Sequence, residues 1–234
     1  LLLKAEIRQP EDALADFEGY RGIILSGSPS LASFGEDSDW NKDILDLDVP
    51  ILGFCFGHQE IAKRYGGEVV HGGREWGAAD LHLKQDHPLF KGLAPVEQVW
   101  MSHFDSVTQL GPDFEEIGYT STGTDAAPHP NAAIASDSLR RYGFQFHPEV
   151  DSTTHGDQMI GNFVRDICGC NPTWDMSRFL EQQVEAIQAQ VGDGAVFLLA
   201  SGGVDSTVAA KIIGLALPPE RLKLLHVDNG LMRK

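Results

Sequence analysis

The chain has 234 residues, 42% hydrophobic and 22% charged, the proportions of a globular protein long enough for one large domain or one domain and part of another. Acidic residues outnumber basic ones by 34 to 18, a formal charge of −16, which argues against nonspecific binding to nucleic acid or an anionic membrane surface. Three cysteines, Cys55, Cys168 and Cys170, are too few and too unevenly placed for a disulfide framework and fit a reducing, cytoplasmic setting, and no apolar run nears the ~20 residues of a membrane helix.

Leu1 to Arg8 reads as a strand, and Leu1-Leu2-Leu3 is too short an apolar run for a signal peptide. With no starting Met and an end at Lys234 just after a strand, the chain reads as a piece of a longer protein, the first strand of its sheet missing. Gly22-Ile23-Ile24-Leu25 is a short buried strand. It enters Ser26-Gly27-Ser28-Pro29, which is either a plain turn or one whose small residues let backbone amides approach a ligand. The apolar run from Val49 enters Gly53-Phe54-Cys55-Phe56-Gly57, and Gln59 to Tyr65 reads as a helix stopped by Gly66-Gly67. Cys55 therefore sits where a strand turns sharply into a helix, the geometry of a nucleophile elbow. The flanking glycines favour this over a plain core cysteine, because a simple strand has no use for them. The positive end of the helix favours the thiolate.

Short strands follow at Glu68 to Val70, Leu81 to Lys84, Val99 to Met101, Ile117 to Tyr119, Ala132 to Ala135 and Tyr142 to Phe146. Arg74-Glu75-Trp76-Gly77 reads by itself as an exposed charged turn. The last of these strands runs into His147-Pro148-Glu149, where His147 is a candidate base and Glu149 a carboxylate able to fix its tautomer. Helical spacing of Met159, Ile160, Phe163, Val164 and Ile167 predicts a helix over Asp157 to Cys168. Cys168-Gly169-Cys170 has neither a second Cys pair nor a nearby His, so it reads as scaffold and not as a metal site. A linker to Thr173 leads to a second amphipathic helix capped by Asp175 or Ser177. Strands separated by helices first, then strands in succession, predict an α/β fold: an open, mostly parallel sheet flanked by helices, with an antiparallel extension.

Gly53-Phe54-Cys55-Phe56-Gly57-His58-Gln59 with Phe146-His147-Pro148-Glu149 resembles the class I glutamine amidotransferases, over most of residues 1–167. The resemblance implies a flavodoxin-like glutaminase domain over 1–167 with a Cys55–His147–Glu149 triad. It implies an oxyanion hole of the Gly27 and Phe56 N–H groups, although Ser28 stands where the family turn has a second Gly. It also implies glutamine contacts at Gln59, Ser102, His103 and Phe104, and Arg74-Glu75-Trp76-Gly77 resembles a family segment near the glutamine site. Phe104 replaces the usual Gly of its own segment, and a phenyl there either crowds the substrate or changes how the loop closes. His103 could act as a second base, but the triad is complete without it.

Residues 168–191 read as linker and connecting helix, and 192–234 as the start of a second α/β domain. In this domain the strand Val196 to Ala200 runs into Ser201-Gly202-Gly203-Val204-Asp205-Ser206-Thr207 and a helix halted by Pro218-Pro219. A Gly-rich loop between strand and helix cradles phosphate, and no Gly-Lys-Ser/Thr follows to make it a Walker loop. The loop resembles the pyrophosphate loop of ATP pyrophosphatases, whose fold is adenine nucleotide alpha hydrolase-like, with Asp228 beyond the next strand near the adenosine. A glutaminase followed by this loop resembles the amidotransferases that use ATP with Mg2+ to activate xanthosine monophosphate and aminate it to GMP, releasing AMP, pyrophosphate and glutamate. That resemblance implies glutamine, ATP and xanthosine monophosphate as small-molecule partners and a cytoplasmic homodimer. It implies no prosthetic group and no resident metal in this part of the chain. The rivals are another class I amidotransferase or gamma-glutamyl hydrolase, which has no use for the loop, and a non-catalytic module in which Phe104 blocks the pocket.

Overall fold

The computed structural model describes residues 5–9, 11–28, 33–34, 40–84, 86–121, 128–172 and 175–226. It divides into two compact units, one over Ala5–Asn171 and one over the described residues from Pro172 onward.

The first unit is built on seven strands: β1 (Ile23–Leu25), β2 (Ile51–Phe54), β3 (Glu68–Leu83), β4 (Val96–Gln109), β5 (Glu115–Ser121), β6 (His129–Ser136) and β7 (Arg141–Phe144). Their order is β1-β2-β7-β6-β5-β3-β4, an open sheet. The antiparallel extension is the larger share: β1–β2 and β2–β7 run parallel, and the other four pairings are antiparallel. Ala5 to Gln9 carry no strand, so the expected opening strand is not found in its described part, and residues 1–4 lie outside the described residues.

Alternation along β2 gives the sheet two buried faces. Leu52 and Phe54 join Phe144, Met101, Met159 and Phe163 in one cluster, the last two from α2 (Gly156–Asn162) and the π-turn that continues it to Ile167. Ile51 points the other way, into a cluster with Trp40, Leu45, Phe56 and Ile61, the last two from α1 (Phe56–Arg64). Each such fully buried side chain contributes about 1.5–3 kcal/mol. Buried Arg141 donates to the carbonyls of Leu45, Leu47 and Val49 and so fixes the approach to β2.

The sequence pattern predicts separate short strands at Glu68 to Val70 and Leu81 to Lys84. Instead β3 runs through both, because Gly72 and Gly73 adopt positive φ (131° and 66°) and form a bulge between His71 and Glu75. A bulge keeps the ladder going while it re-aims the side chains beyond it. The segment 74–77 is therefore strand, not an exposed turn, and Glu75 is buried.

The second unit contains α3 (Met176–Val191), β8 (Val196–Leu199), α4 (Val204–Ala216) and β9 (Leu222–Leu225), with β8 and β9 parallel. Asp175 caps α3, its carboxylate accepting from Ser177 N at 2.8 Å.

Helix α1 packs closely on the strands beneath it. A Cβ on Gly57 would lie 2.2 Å from Leu25 O, a backbone atom that has no freedom to move aside. Gly57→Ala is expected to destabilise the first unit by about 2–3 kcal/mol. That lowers the thermal midpoint by roughly 4–12 °C for a protein of this size. A melting curve within 1–2 °C of wild type, roughly the shift of 0.5 kcal/mol, would contradict the packing described.

Candidate active site

Cys55 occupies the one-residue link between β2 and α1. Its backbone has φ 47° and ψ −102°, a strained conformation for a side chain with a Cβ. Two hydrogen bonds hold it there: Cys55 N donates to Phe144 O at 2.8 Å, and Gln59 N donates to Cys55 O at 3.1 Å. The turn closes only because Gly53 and Gly57 lack side chains. A Cβ on Gly53 would sit 2.3 Å from the Gly57 carbonyl carbon.

The parallel register then assembles a cleft. Leu25 pairs with Gly53, and Phe54 with Phe144. Gly27, Cys55 and His147 therefore all lie just beyond the carboxyl ends of three adjacent parallel strands, where open α/β sheets hold their ligands. Gly27 sits between the other two: a Cβ there would lie 3.3 Å from His147 Cε1 and 3.5 Å from Cys55 Cβ. The Cys55 Sγ also meets Ser102 O at 3.6 Å, so β4 forms a further wall.

His147 is anchored by its own N–H, which donates to Trp100 O at 3.0 Å. Its Nδ1 lies 2.8 Å from Glu149 Oε1, which leaves Nε2 for the thiol. The hydrogen bond with Cys55, and after it the one with Glu149, push the imidazole up to about 10 against partial burial. Burial opposes ionisation of Glu149, but the hydrogen bond from His147, a backbone hydrogen bond and the imidazolium charge together hold its carboxyl below the usual range. The raised imidazole favours the charged ring, with Nδ1 held against Glu149.

The other expected residues divide. Phe56 begins α1, so its N–H is one of the helix's free first-turn donors, while its ring is buried edge-on against Trp40. Gln59 is 4% exposed, and its Nε2 donates to Asp105 O at 2.7 Å and Gln145 Oε1 at 3.1 Å. His103 is buried, with Nδ1 2.9 Å from Asp105 O and Nε2 3.2 Å from Glu75 Oε2. Phe104 is half exposed and packs edge-on to Trp76, with ring centroids 5.1 Å apart. The sequence pattern gave no notice of Gln145 or of the core role of Glu75, while the alternation of β4 turns Asp105 and His103 to one side.

In the second unit, Ser201 to Gly203 form the loop between β8 and α4, with Gly202 at φ 80° and Gly203 as the helix N-cap. Ser206 Oγ and Thr207 Oγ1 donate to Gly203 O at 3.1 and 2.8 Å, and Ser201 Oγ lies 3.2 Å from Ser206 Oγ. Val204 and Asp205 open α4 and are exposed. Free N–H groups at the start of a helix suit a phosphate. Asp228 lies outside the described residues. Among the described residues no group of three or more His, Cys, Asp or Glu side chains could hold a metal ion, and no helix is long and apolar enough to cross a membrane.

A family model for class-I glutamine amidotransferases matches residues 3–167. A protein named GMP synthase [glutamine-hydrolyzing] from Symbiobacterium thermophilum is 42% identical over 221 residues, which are 92% of this chain and 41% of that protein. One of the same name from Brucella melitensis is 44% identical over 218 residues, 92% of this chain and 42% of that one. The chain thus spans about two fifths of the length of the curated relatives it matches. A solved structure from Thermoplasma acidophilum, provisionally named as one component of a GMP synthase, aligns with a TM-score of 0.54 at 27% identity, over 72% of this chain and 79% of that one.

The two hydrogen bonds on the His147 ring give an ordered expectation. In an NMR titration, Cys55→Ala should lower the His147 pKa more than Glu149→Gln does, because the bond to Cys55 is the larger cause. The raised imidazole contributes stability that is fully present below about pH 6.5 and is lost as pH rises toward 10. The lowered Glu149 contributes stability that is lost as pH falls below its ordinary value of 4.5. The stability gap between wild type and Glu149→Gln should therefore narrow at both extremes, and a gap independent of pH would refute the pairing.

Proposed function

Because the chain belongs to the class I glutamine amidotransferase family, we propose that its first unit hydrolyses glutamine and supplies ammonia for GMP synthesis by a longer, ATP-using enzyme. The observation that carries the reading is the meeting of Gly27, Cys55 and His147 at adjacent strand ends, with Glu149 on the far side of the imidazole.

In this reading the Cys55 sulfur attacks the side-chain amide carbon of glutamine, and the carbonyl electrons move onto oxygen. The N–H groups of Gly27 and Phe56 receive that oxyanion, each contributing about 3 kcal/mol to the transition state. The imidazolium of His147 gives its Nε2 proton to the departing nitrogen, so ammonia leaves and a glutamyl thioester remains. His147, now neutral, takes a proton from water. The resulting hydroxide attacks the thioester, glutamate departs and the thiolate–imidazolium pair returns. Glu149 holds the ring through Nδ1 in both halves of the cycle. Ser102, His103 and Phe104 supply the wall beside the thiol, and Gln59 ties that wall to α1.

The second unit supplies the start of the nucleotide site. The loop Ser201 to Thr207 suits the pyrophosphate of ATP because Gly202 turns the chain and the opening N–H groups of α4 face outward. Mg2+, carried with ATP, would neutralise phosphate charge there, and Asp205 in the first turn of α4 is the carboxylate best suited to hold it. Asp228 is the proposed adenosine contact. The acceptor in this reading is xanthosine monophosphate, activated by adenylylation and aminated by the ammonia. The proposal extends to a cytoplasmic homodimer for the whole enzyme, the state that the resemblance implies.

Two variants of the full-length protein separate the chemistries. Cys55→Ala should drop glutamine hydrolysis to background, while GMP formation from ammonium salt continues and favours higher pH, since free NH3 is the nucleophile. Equal loss with both nitrogen sources would mark Cys55 as a core residue only. Asp205→Ala should abolish GMP formation from either nitrogen source and leave basal glutamine hydrolysis intact. Persistence of both syntheses would remove the loop from the reaction.

A further inference from the structure

Glu75 is a buried carboxylate that the triad does not use. Leaving water is costly for a charged group unless partners replace its hydration. Here they come from the neighbouring strands: Thr120 on β5 donates its hydroxyl to Oε1 at 2.8 Å, and His103 on β4 faces Oε2 at 3.2 Å. His129, at the start of β6, brings its Nδ1 to 3.9 Å from the same Oε2.

The hydrogen count of His103 is informative. Its Nδ1 faces Asp105 O, a carbonyl that only accepts, so Nδ1 carries a proton. Its Nε2 faces a carboxylate, so a second proton lies between ring and carboxylate. The imidazole is therefore held at both nitrogens and its plane is fixed. His58 lies nearby, fully buried and pushed down to about 3, by burial first and then by the charge of His103.

What the fixed ring controls is close to the thiol. Asp105 O, which His103 holds, also accepts from Gln59 Nε2, and Gln59 stands one turn beyond Cys55 on α1. The same Gln59 nitrogen reaches Gln145, two residues before His147. Ser102, whose carbonyl meets the Cys55 sulfur, directly precedes His103. Glu75 itself sits just beyond the Gly72-Gly73 bulge, which brings it opposite His103 in the ladder.

From this geometry we infer that Glu75 is a positioning residue for the glutamine cleft, acting through His103 to fix the Ser102 to Asp105 wall against the thiol. The inference rests on the glutaminase reading above. An apolar side chain at position 75 would fill the space but leave His103 free to turn. A glutamine would keep the network: its carbonyl accepts from Thr120, and its N–H donates to a neutral His103 Nε2.

The test compares Glu75→Leu and Glu75→Gln in the full-length protein, by glutaminase kinetics and by the rate at which iodoacetamide alkylates Cys55. Glu75→Leu is expected to raise the glutamine KM about tenfold while kcat changes less than threefold. Cys55 should alkylate at close to the wild-type rate but need about tenfold more glutamine for protection. Glu75→Gln should stay within threefold of wild type throughout. An unchanged KM in Glu75→Leu, an equal loss in both variants, or a fall in kcat alone would overturn the inference. If Glu75→Leu fails to fold, Thr120→Val is read instead, because it removes one donor and keeps the shape. A KM raised at least threefold with kcat retained supports the inference, and an unchanged KM overturns it. A wild-type protein that neither hydrolyses glutamine nor is protected by it would instead overturn the glutaminase reading.

Discussion

A backbone constraint at one residue organises the first unit. Cys55 is held at positive φ because β2 must reverse into α1 within a single residue, and the chain passes itself so closely that neither Gly53 nor Gly57 has room for a Cβ. Strain of this kind costs of order 1–3 kcal/mol and persists only where the surroundings over-determine it. Here they do so on both sides. Arg141 pins the approach to β2 through three main-chain carbonyls, and Ile61 and Phe56 bury the start of α1. The result is a thiol standing clear of the sheet edge, at the positive end of a helix, facing the strand that delivers His147.

The three parallel strands act as one device. Their register aligns β1, β2 and β7 so that each ends beside the next, and the residues just past those ends are Gly27, Cys55 and the run to His147. The antiparallel half of the sheet contributes differently. It supplies β4 as a wall, joined to the elbow by Ser102 O on the sulfur and by Gln59 on Asp105 O, and it buries Glu75, Thr120 and His103 behind that wall. Cys55, His147 and the β4 wall come from distant parts of the sequence, yet one side-chain amide, that of Gln59, reaches both Asp105 on β4 and Gln145, two residues before His147.

The elbow and the His147–Glu149 pair were legible in the sequence because both are local. Two glycines around a cysteine, between an apolar run and a helical one, leave few other conformations, and His147 and Glu149 are two residues apart. The strands β2, β6 and β7 were legible for the same reason, as short apolar runs. The long hairpin of β3 and β4 was not: its strands read as short separate runs, and only their pairing, with a bulge at Gly72-Gly73, makes them continuous. Arg141, Glu75 and Gln145 were not legible because their partners lie far away in the chain, and a charged or polar residue in sequence gives no sign that it will be buried. Gln59 was expected to face glutamine, whereas its amide nitrogen is turned inward to Asp105 and Gln145.

The central claim is that Cys55 carries the acyl group of glutamine. It is tested most directly by quenching the full-length protein in acid during turnover and mapping the peptides by mass spectrometry. The expected result is a single glutamyl adduct on the peptide containing Cys55, present during turnover of the wild type and absent from Cys55→Ala. An adduct on Cys168 or Cys170, or steady hydrolysis of glutamine with no acylated cysteine at any time point, would contradict it.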